Sequence, residues 1–467
     1  MPSPRRLSAA VVLALVPGFL LLRAVLFALT TAGEYALYQS YAQDVRDGSL
    51  AGLYADREVE YPPLAVLFGV VALYVTDLLP EGVERLTAWR PNPPRSMAGS
   101  RYEVGLGLTL FAVDLAGLLL VYAVARRCYP DEGNERRAAR LGVYVAATTA
   151  LGLIVYDRQD LVVGLFPLLA LLAFAQDRPV LAYGVLTAGG AYKLVPLLLL
   201  PLWVLGFAAA RSAPATPRSF LAATVKQAVL AGLVLAAYPV LSYLLWGPRS
   251  FLFLSFHSDR GLQLEATAAW LVFVLDPDAR VGYSHGSHSV LSPLADRLAT
   301  VTTGLTALAT LAVVVVTGRG FGTAATAPAT PARARLIRYL ALGSLWAWLA
   351  FVLFNKVGSP QYLLWLAPLL PLLPLRGGDR GFAVVLLLGM FFTSLVFPGQ
   401  YPLVRGELIH GSESDPPGTR VWAGPGPPGL ALITAKSVSL TVAFVWLSVI
   451  VARQRHSMAE APRDGRE

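Results

Sequence analysis

Apolar runs recur along the whole chain, and several are long enough to cross a bilayer: Val11 to Ala32, Phe220 to Trp246, Leu336 to Phe354 and Leu430 to Val451, with a shorter run from Leu141 to Tyr156. About 20 apolar residues in helical form span roughly 30 Å of hydrocarbon. In lipid the backbone must satisfy its own hydrogen bonds, so these runs are expected as α-helices. Composition agrees, with 55% hydrophobic and 14% charged residues and a mean hydropathy of +0.58. Ordinary soluble domains carry about 25% charge. The expected fold class is therefore all-α, a polytopic integral membrane protein.

The net charge of +9 comes from 38 Lys and Arg against 29 Asp and Glu. In a soluble chain that balance would point to nucleic acid, but here the positive-inside rule accounts for it and no nucleic-acid partner is expected. The short basic loops are Arg126 to Arg140, Gln176 to Arg178, Arg211 to Arg218, Gly318 to Arg338, Arg376 to Arg380 and the tail from Arg453 to His456. Placing all six in the cytoplasm with the N-terminus gives about twelve crossings (range 11–13): roughly 11–31, 104–125, 141–156, 160–175, 180–192, 194–208, 219–246, 299–317, 336–354, 361–375, 382–398 and 430–451. Both termini are then inside. The short segments 180–192 and 194–208 are expected to meet as a helix break near Lys193.

Residues 61–80 are apolar enough to span, but a crossing there would move Arg126 to Arg140 outside. A surface-lying or re-entrant segment is expected instead. The large outside loops are then 32–103, 247–298 and 399–429, with a flexible cytoplasmic linker at 318–335 and a cytoplasmic tail at 453–467. No internal repeat is apparent, and the chain (1–467) reads as one integral unit. The apolar run after Arg5 and Arg6 continues without a small-residue cleavage site and reads as a retained anchor. Cys128 has no partner for an intrachain disulfide and is expected to be inert. Aromatic residues near helix ends, among them Tyr38, Tyr41, Tyr156, Trp246, Tyr362 and Trp365, read as interfacial anchors.

Polar clusters interrupt this pattern at one set of helix ends. The first outside loop begins Gly33-Glu34-Tyr35 and continues through Tyr38 to Glu58-Val59-Glu60-Tyr61-Pro62-Pro63-Leu64. A carboxylate at the end of an apolar helix is partly desolvated, which raises its pKa and makes it a better base; the alternative is a solvated loop acid. Tyr156-Asp157-Arg158-Gln159-Asp160 sits between two spans in a turn too short to be a solvated loop, and ionisable groups there need partners or a cavity.

Only four lysines occur in the chain, Lys193, Lys226, Lys356 and Lys436. Lys193 and Lys356 both stand beside polar, proline-containing helix breaks. Snorkelling explains each alone, whereas the pair suggests an anion site that a phosphate fits. In Asp259-Arg260-Gly261-Leu262-Gln263-Leu264-Glu265, Arg260 suits a phosphate, and Gln263 and Glu265 suit sugar hydroxyls. Asp276-Pro277-Asp278 reads as a turn. His285-Gly286-Ser287-His288 lacks further ligands nearby, and no metal site or cofactor is expected.

Taken in order, these clusters resemble the GT-C superfamily of membrane glycosyltransferases, especially glycosyltransferase family eighty-seven, which includes polyprenyl-phosphate-mannose-dependent mannosyltransferases. The resemblance rests on Glu34 with Tyr38, Glu60 to Leu64, Arg158-Gln159-Asp160-Leu161, Lys193-Leu194-Val195-Pro196 with Pro201, Asp259 to Glu265, and Asn355-Lys356-Val357 with Ser359-Pro360-Gln361-Tyr362. It departs at Glu34, where the family usually has Asp.

The resemblance implies an inverting hexosyl transfer, with mannose the family's commonest sugar, from a polyprenyl-phosphate donor to a lipid or glycan hydroxyl at the extracytoplasmic face of a bacterial plasma membrane. Glu34 would be the base, with Glu60, Asp44 and Asp160 as alternatives. Arg260, Lys193, Lys356 and Arg158 would hold the donor phosphate. Tyr38, Tyr61, Asp157, Gln263, Glu265, Asn355 and Gln361 would line the substrate site. The rival class is a transporter or a flippase of lipid-linked sugars, which broken helices and many crossings also suit.

Overall fold

The computed structural model describes residues 9–30, 35–86, 97–212, 216–258, 260–326, 333–375, 377, 379–412, 415 and 417–458. The chain is a helical polytopic membrane protein. Among the described residues, seven helices are long and apolar enough to cross a membrane, and shorter apolar helices cover 17–29, 63–77 and 160–175. Several overshoot the hydrocarbon. Met97–Cys128, with 32 residues, measures about 48 Å at 1.5 Å per residue.

The basic loops gather at one end of this bundle. Arg140, in the helix Asn134–Ala150, binds Glu132 at 2.7 Å and donates to the carbonyls of Pro371 and Leu373 at 2.6 Å each. Asp177 takes Arg211 at 3.0 Å and Arg333 at 3.1 Å. The 318–335 linker is shorter than composition suggests, because the helix Pro293–Thr326 runs on through Gly318 and the next helix begins at Arg333. Phe321, Ala324 and Ala325 are fully buried, so packing overrides the low helix propensity of the glycines there. Residues 327–332 lie outside the described set.

One expected crossing, 361–375, takes a different form. It is a chain of short turns, Pro360–Tyr362, Leu363–Leu366 and Leu370–Leu372, interrupted by Pro368, Pro371 and Pro374. Proline removes a backbone donor and clashes with the preceding turn, so no continuous helix forms. Irregular backbone is tolerated at membrane depth only inside protein. Leu363 to Ala367 are accordingly buried on all sides, and Tyr129 and Arg140 take up the carbonyls near its basic end.

At the opposite end lie Glu60, the turn before Asp160, Lys193 and the loop after Phe354. The helix Pro63–Asp77 packs there against the start of the helix Met97–Cys128 and the end of the helix Pro179–Tyr192. Phe68 meets the ring of Tyr192, and Tyr102 donates to the Gly69 carbonyl.

This end also carries a small antiparallel sheet in the loops, which hydropathy did not foreshadow. Its strands are β1 (Arg280–Ser284), β2 (Ser287–Leu291), β3 (Leu408–His410) and β4 (Val421–Trp422), in the order β2-β1-β4-β3. His285 and Gly286, both at positive φ, form the two-residue turn between β1 and β2. That geometry follows the right-handed strand twist. A separate apolar core of Leu262, Leu264, Val281, Val290, Val404 and Trp422 seats the sheet.

Candidate active-site cavity

The loop 260–265 is fixed from both sides. Val290 donates to the Leu262 carbonyl at 2.8 Å and Leu264 to the His288 carbonyl at 2.9 Å, so the segment runs along β2. The backbone N–H of Gln263 donates to the Lys356 carbonyl at 2.9 Å, which ties it to the loop after the helix Arg333–Phe354. Gly358 makes that approach possible, since a Cβ there would overlap the backbone of Ala266. Two stretches nearly a hundred residues apart are thereby placed against one another.

They enclose, with the turns at 60–62, 158 and 193–195, a cavity of about 550 Å³. Glu60, Tyr61, Arg158, Lys193, Arg260, Gln263, Glu265, Asn355, Lys356 and Gln361 all line it. Ten residues drawn from five separate sequence clusters therefore share one volume, which lies in the range of ligand pockets.

Charge inside the cavity is arranged in pairs. Lys193 Nζ lies 2.6 Å from Asp160 Oδ1, which also accepts from Trp365 Nε1 at 2.7 Å. Asp160 opens the helix Asp160–Ala175, and Lys193 closes the helix Pro179–Tyr192. Each charge thus complements the helix dipole at its position. The rings of Tyr362 and Trp365, stacked 4.2 Å apart, lie 5.3 and 5.4 Å from Lys193 Nζ. Arg260 meets Glu60 at 3.4 Å, and Arg158 meets Asp157 at 3.0 Å while standing over Phe397.

The wall beneath the sheet is aromatic and acidic. His288 is ringed by Tyr283, Tyr401 and Trp422 at 5.0, 5.2 and 4.9 Å, all edge-on. Burial, with Arg405 and Arg420 nearby, pushes its pKa down to about 4, so the imidazole is neutral at physiological pH. Glu265 accepts from the Tyr401 hydroxyl, and burial holds its carboxyl above the usual range.

Asp160 and Asp157 do not line the cavity; they are buried behind it, holding Lys193 and Arg158. Tyr38 is also buried and does not line the cavity; its ring lies 5.7 Å from that of Tyr61, which does. Asp44 pairs with Arg57 on the surface, away from the cavity. Glu34 lies outside the described residues.

Tyr38, Tyr41, Tyr156, Tyr362 and Trp365, expected as lipid-interface anchors, are buried instead, because each has partners inside the protein. Tyr156, for example, donates to Asp114 Oδ2 at 2.9 Å. Sequence reasoning missed Tyr283, His288, Phe397 and Tyr401 as wall residues. It also missed the buried pair Arg23–Asp114 at 2.7 Å, hidden within apolar runs. Among the described residues, no three His, Cys, Asp or Glu side chains gather as a metal-binding group.

No protein-family model matches the sequence, and no curated protein resembles it significantly. Among solved structures, the crystal structure of ArnT from Cupriavidus metallidurans in the apo state aligns with 97% of this chain and 78% of that chain, at 12% identity and a TM-score of 0.43.

Proposed function

We propose that this protein is a membrane glycosyltransferase that moves a hexose, mannose in the first instance, from a polyprenyl-phosphate donor to a hydroxyl of a lipid or glycan acceptor. The observation that carries this reading is the convergence of Lys193, Arg260 and Lys356 with Glu60, Gln263 and Glu265 on one cavity. A leaving phosphate needs preorganised cations, and a hydroxyl nucleophile needs a base within reach.

In this reading Arg260, Lys356, Lys193 and Arg158 receive the donor phosphate. Gln263, Glu265, Asn355, Gln361 and Tyr61 contact hydroxyls. The acceptor oxygen attacks the anomeric carbon while a carboxylate takes its proton, and the C–O bond to phosphate breaks with its electron pair leaving on the phosphate. Glu34 and Glu60 are the candidates for that carboxylate. Asp160 instead anchors Lys193, since Oδ1 is already committed to Lys193 and Trp365. The described residues of the basic loops lie at the far end of the bundle, which by the positive-inside rule supports an extracytoplasmic cavity.

Purified protein incubated with radiolabelled polyprenyl-phosphate mannose and acceptor lipids tests this. Label should move to a new product, and Glu34→Gln or Glu60→Gln should reduce turnover at least about a hundredfold, the scale of a lost general base. Label that changes leaflet without forming a product would instead make the protein a flippase.

A further inference from the structure

Lys436 has no part in the chemistry proposed above, yet it is a charged side chain buried to 3% exposure inside the long helix Pro427–Ser457. It sits about two and a half turns from the cavity end of that helix. A buried ammonium needs hydrogen-bonding partners, and its Nζ donates to the backbone carbonyl of Glu265. The Glu265 side chain lines the cavity, with Oε1 taken by the Tyr401 hydroxyl and Oε2 buried without a hydrogen-bond partner.

We propose that Lys436 is a positioning residue for the cavity: it holds the Glu265 backbone from inside the membrane helix and, together with Arg158, supplies positive charge near the Glu265 carboxyl. Only the use to which Glu265 is put, recognition of a substrate hydroxyl, rests on the transferase reading. Three elements present charged or titratable groups to Glu265. Tyr401 comes from the helix Tyr401–Arg405, Lys436 from the last helix and Arg158 from the turn at 157–159. Arg405 and Tyr283 act on Tyr401 in turn. Lys436 is the cation bonded to the Glu265 backbone itself, so removing its charge disfavours the carboxylate and moves Glu265 titration to higher pH.

Infrared titration of the full-length protein in nanodiscs reads this without substrate, through the carbonyl band of a protonated buried carboxyl. The band should vanish in Glu265→Gln. Its midpoint should rise by about one pH unit or more in Lys436→Gln, which keeps a donor to the Glu265 carbonyl but loses the charge. Lys436→Arg should restore the midpoint. The absence of a band sensitive to Glu265→Gln, or an unchanged midpoint in Lys436→Gln, overturns the proposal. A shifted midpoint in a protein that transfers no sugar would leave Lys436 as proposed and dismiss the transferase reading.

Discussion

Lys193 and Asp160 illustrate how a pair of charges can serve two ends. The lysine faces the cavity, whereas the aspartate is 1% exposed and held by Trp365. Removing one partner of a buried pair leaves an uncompensated charge, which costs about 3 kcal/mol or more. Lys193→Met should therefore lower the thermal unfolding midpoint in detergent and weaken binding of a polyprenyl phosphate at least tenfold. The double variant Lys193→Met/Asp160→Leu should recover most of the stability but none of the binding. Recovery of both would deny Lys193 a role at the phosphate.

His288 gives a pH test. Its folded pKa, about 4, lies below the ordinary value of 6.5, so the unfolded chain binds more protons between these limits. Stability should consequently fall as pH drops from about 6.5 towards 4. His288→Phe, which keeps an aromatic ring and cannot titrate, should flatten that part of the dependence measured by thermal unfolding. The sequence offered no sign of this residue's setting, because its neighbours Tyr283, Tyr401 and Trp422 come from three separate stretches, two of them sheet strands and one the helix Tyr401–Arg405, that meet only in the fold.

At the scale of elements, long apolar runs located most helices, because a membrane helix must be apolar wherever it meets lipid. The hairpin of β1 and β2 escaped, since five-residue strands within a polar loop carry little periodic signal. Arg23 and Asp114 escaped for the opposite reason: one charge within each apolar run leaves the run apolar on average. The proline-broken segment from Pro360 to Leu372 looked like an ordinary span, since leucine content says nothing about backbone continuity.

That segment depends on Arg140, which satisfies the carbonyls of Pro371 and Leu373 and neutralises Glu132. Arg140→Ala should cost about 3–5 kcal/mol as a broken buried pair. It should also raise hydrogen exchange across 361–373, detectable by mass spectrometry. Unchanged exchange there would remove Arg140 as the support of the broken segment.

For the whole molecule, the motif clusters were legible in the sequence as polar interruptions, but their meeting was not. It depends on Gly358 admitting the backbone of Ala266, and on the loop 260–265 lying along β2. Those contacts bring the clusters together at one end of the bundle, while the described basic loops lie at the other. In the proposed function, sugar transfer takes place at the end away from the arginine-rich loops. Proteoliposomes of known orientation test it, with radiolabelled polyprenyl-phosphate mannose supplied in the membrane and acceptor added to one side at a time. Labelled product is expected when the acceptor faces the cavity end; product only from the arginine-rich side, or no product on either side, would overturn the proposed site.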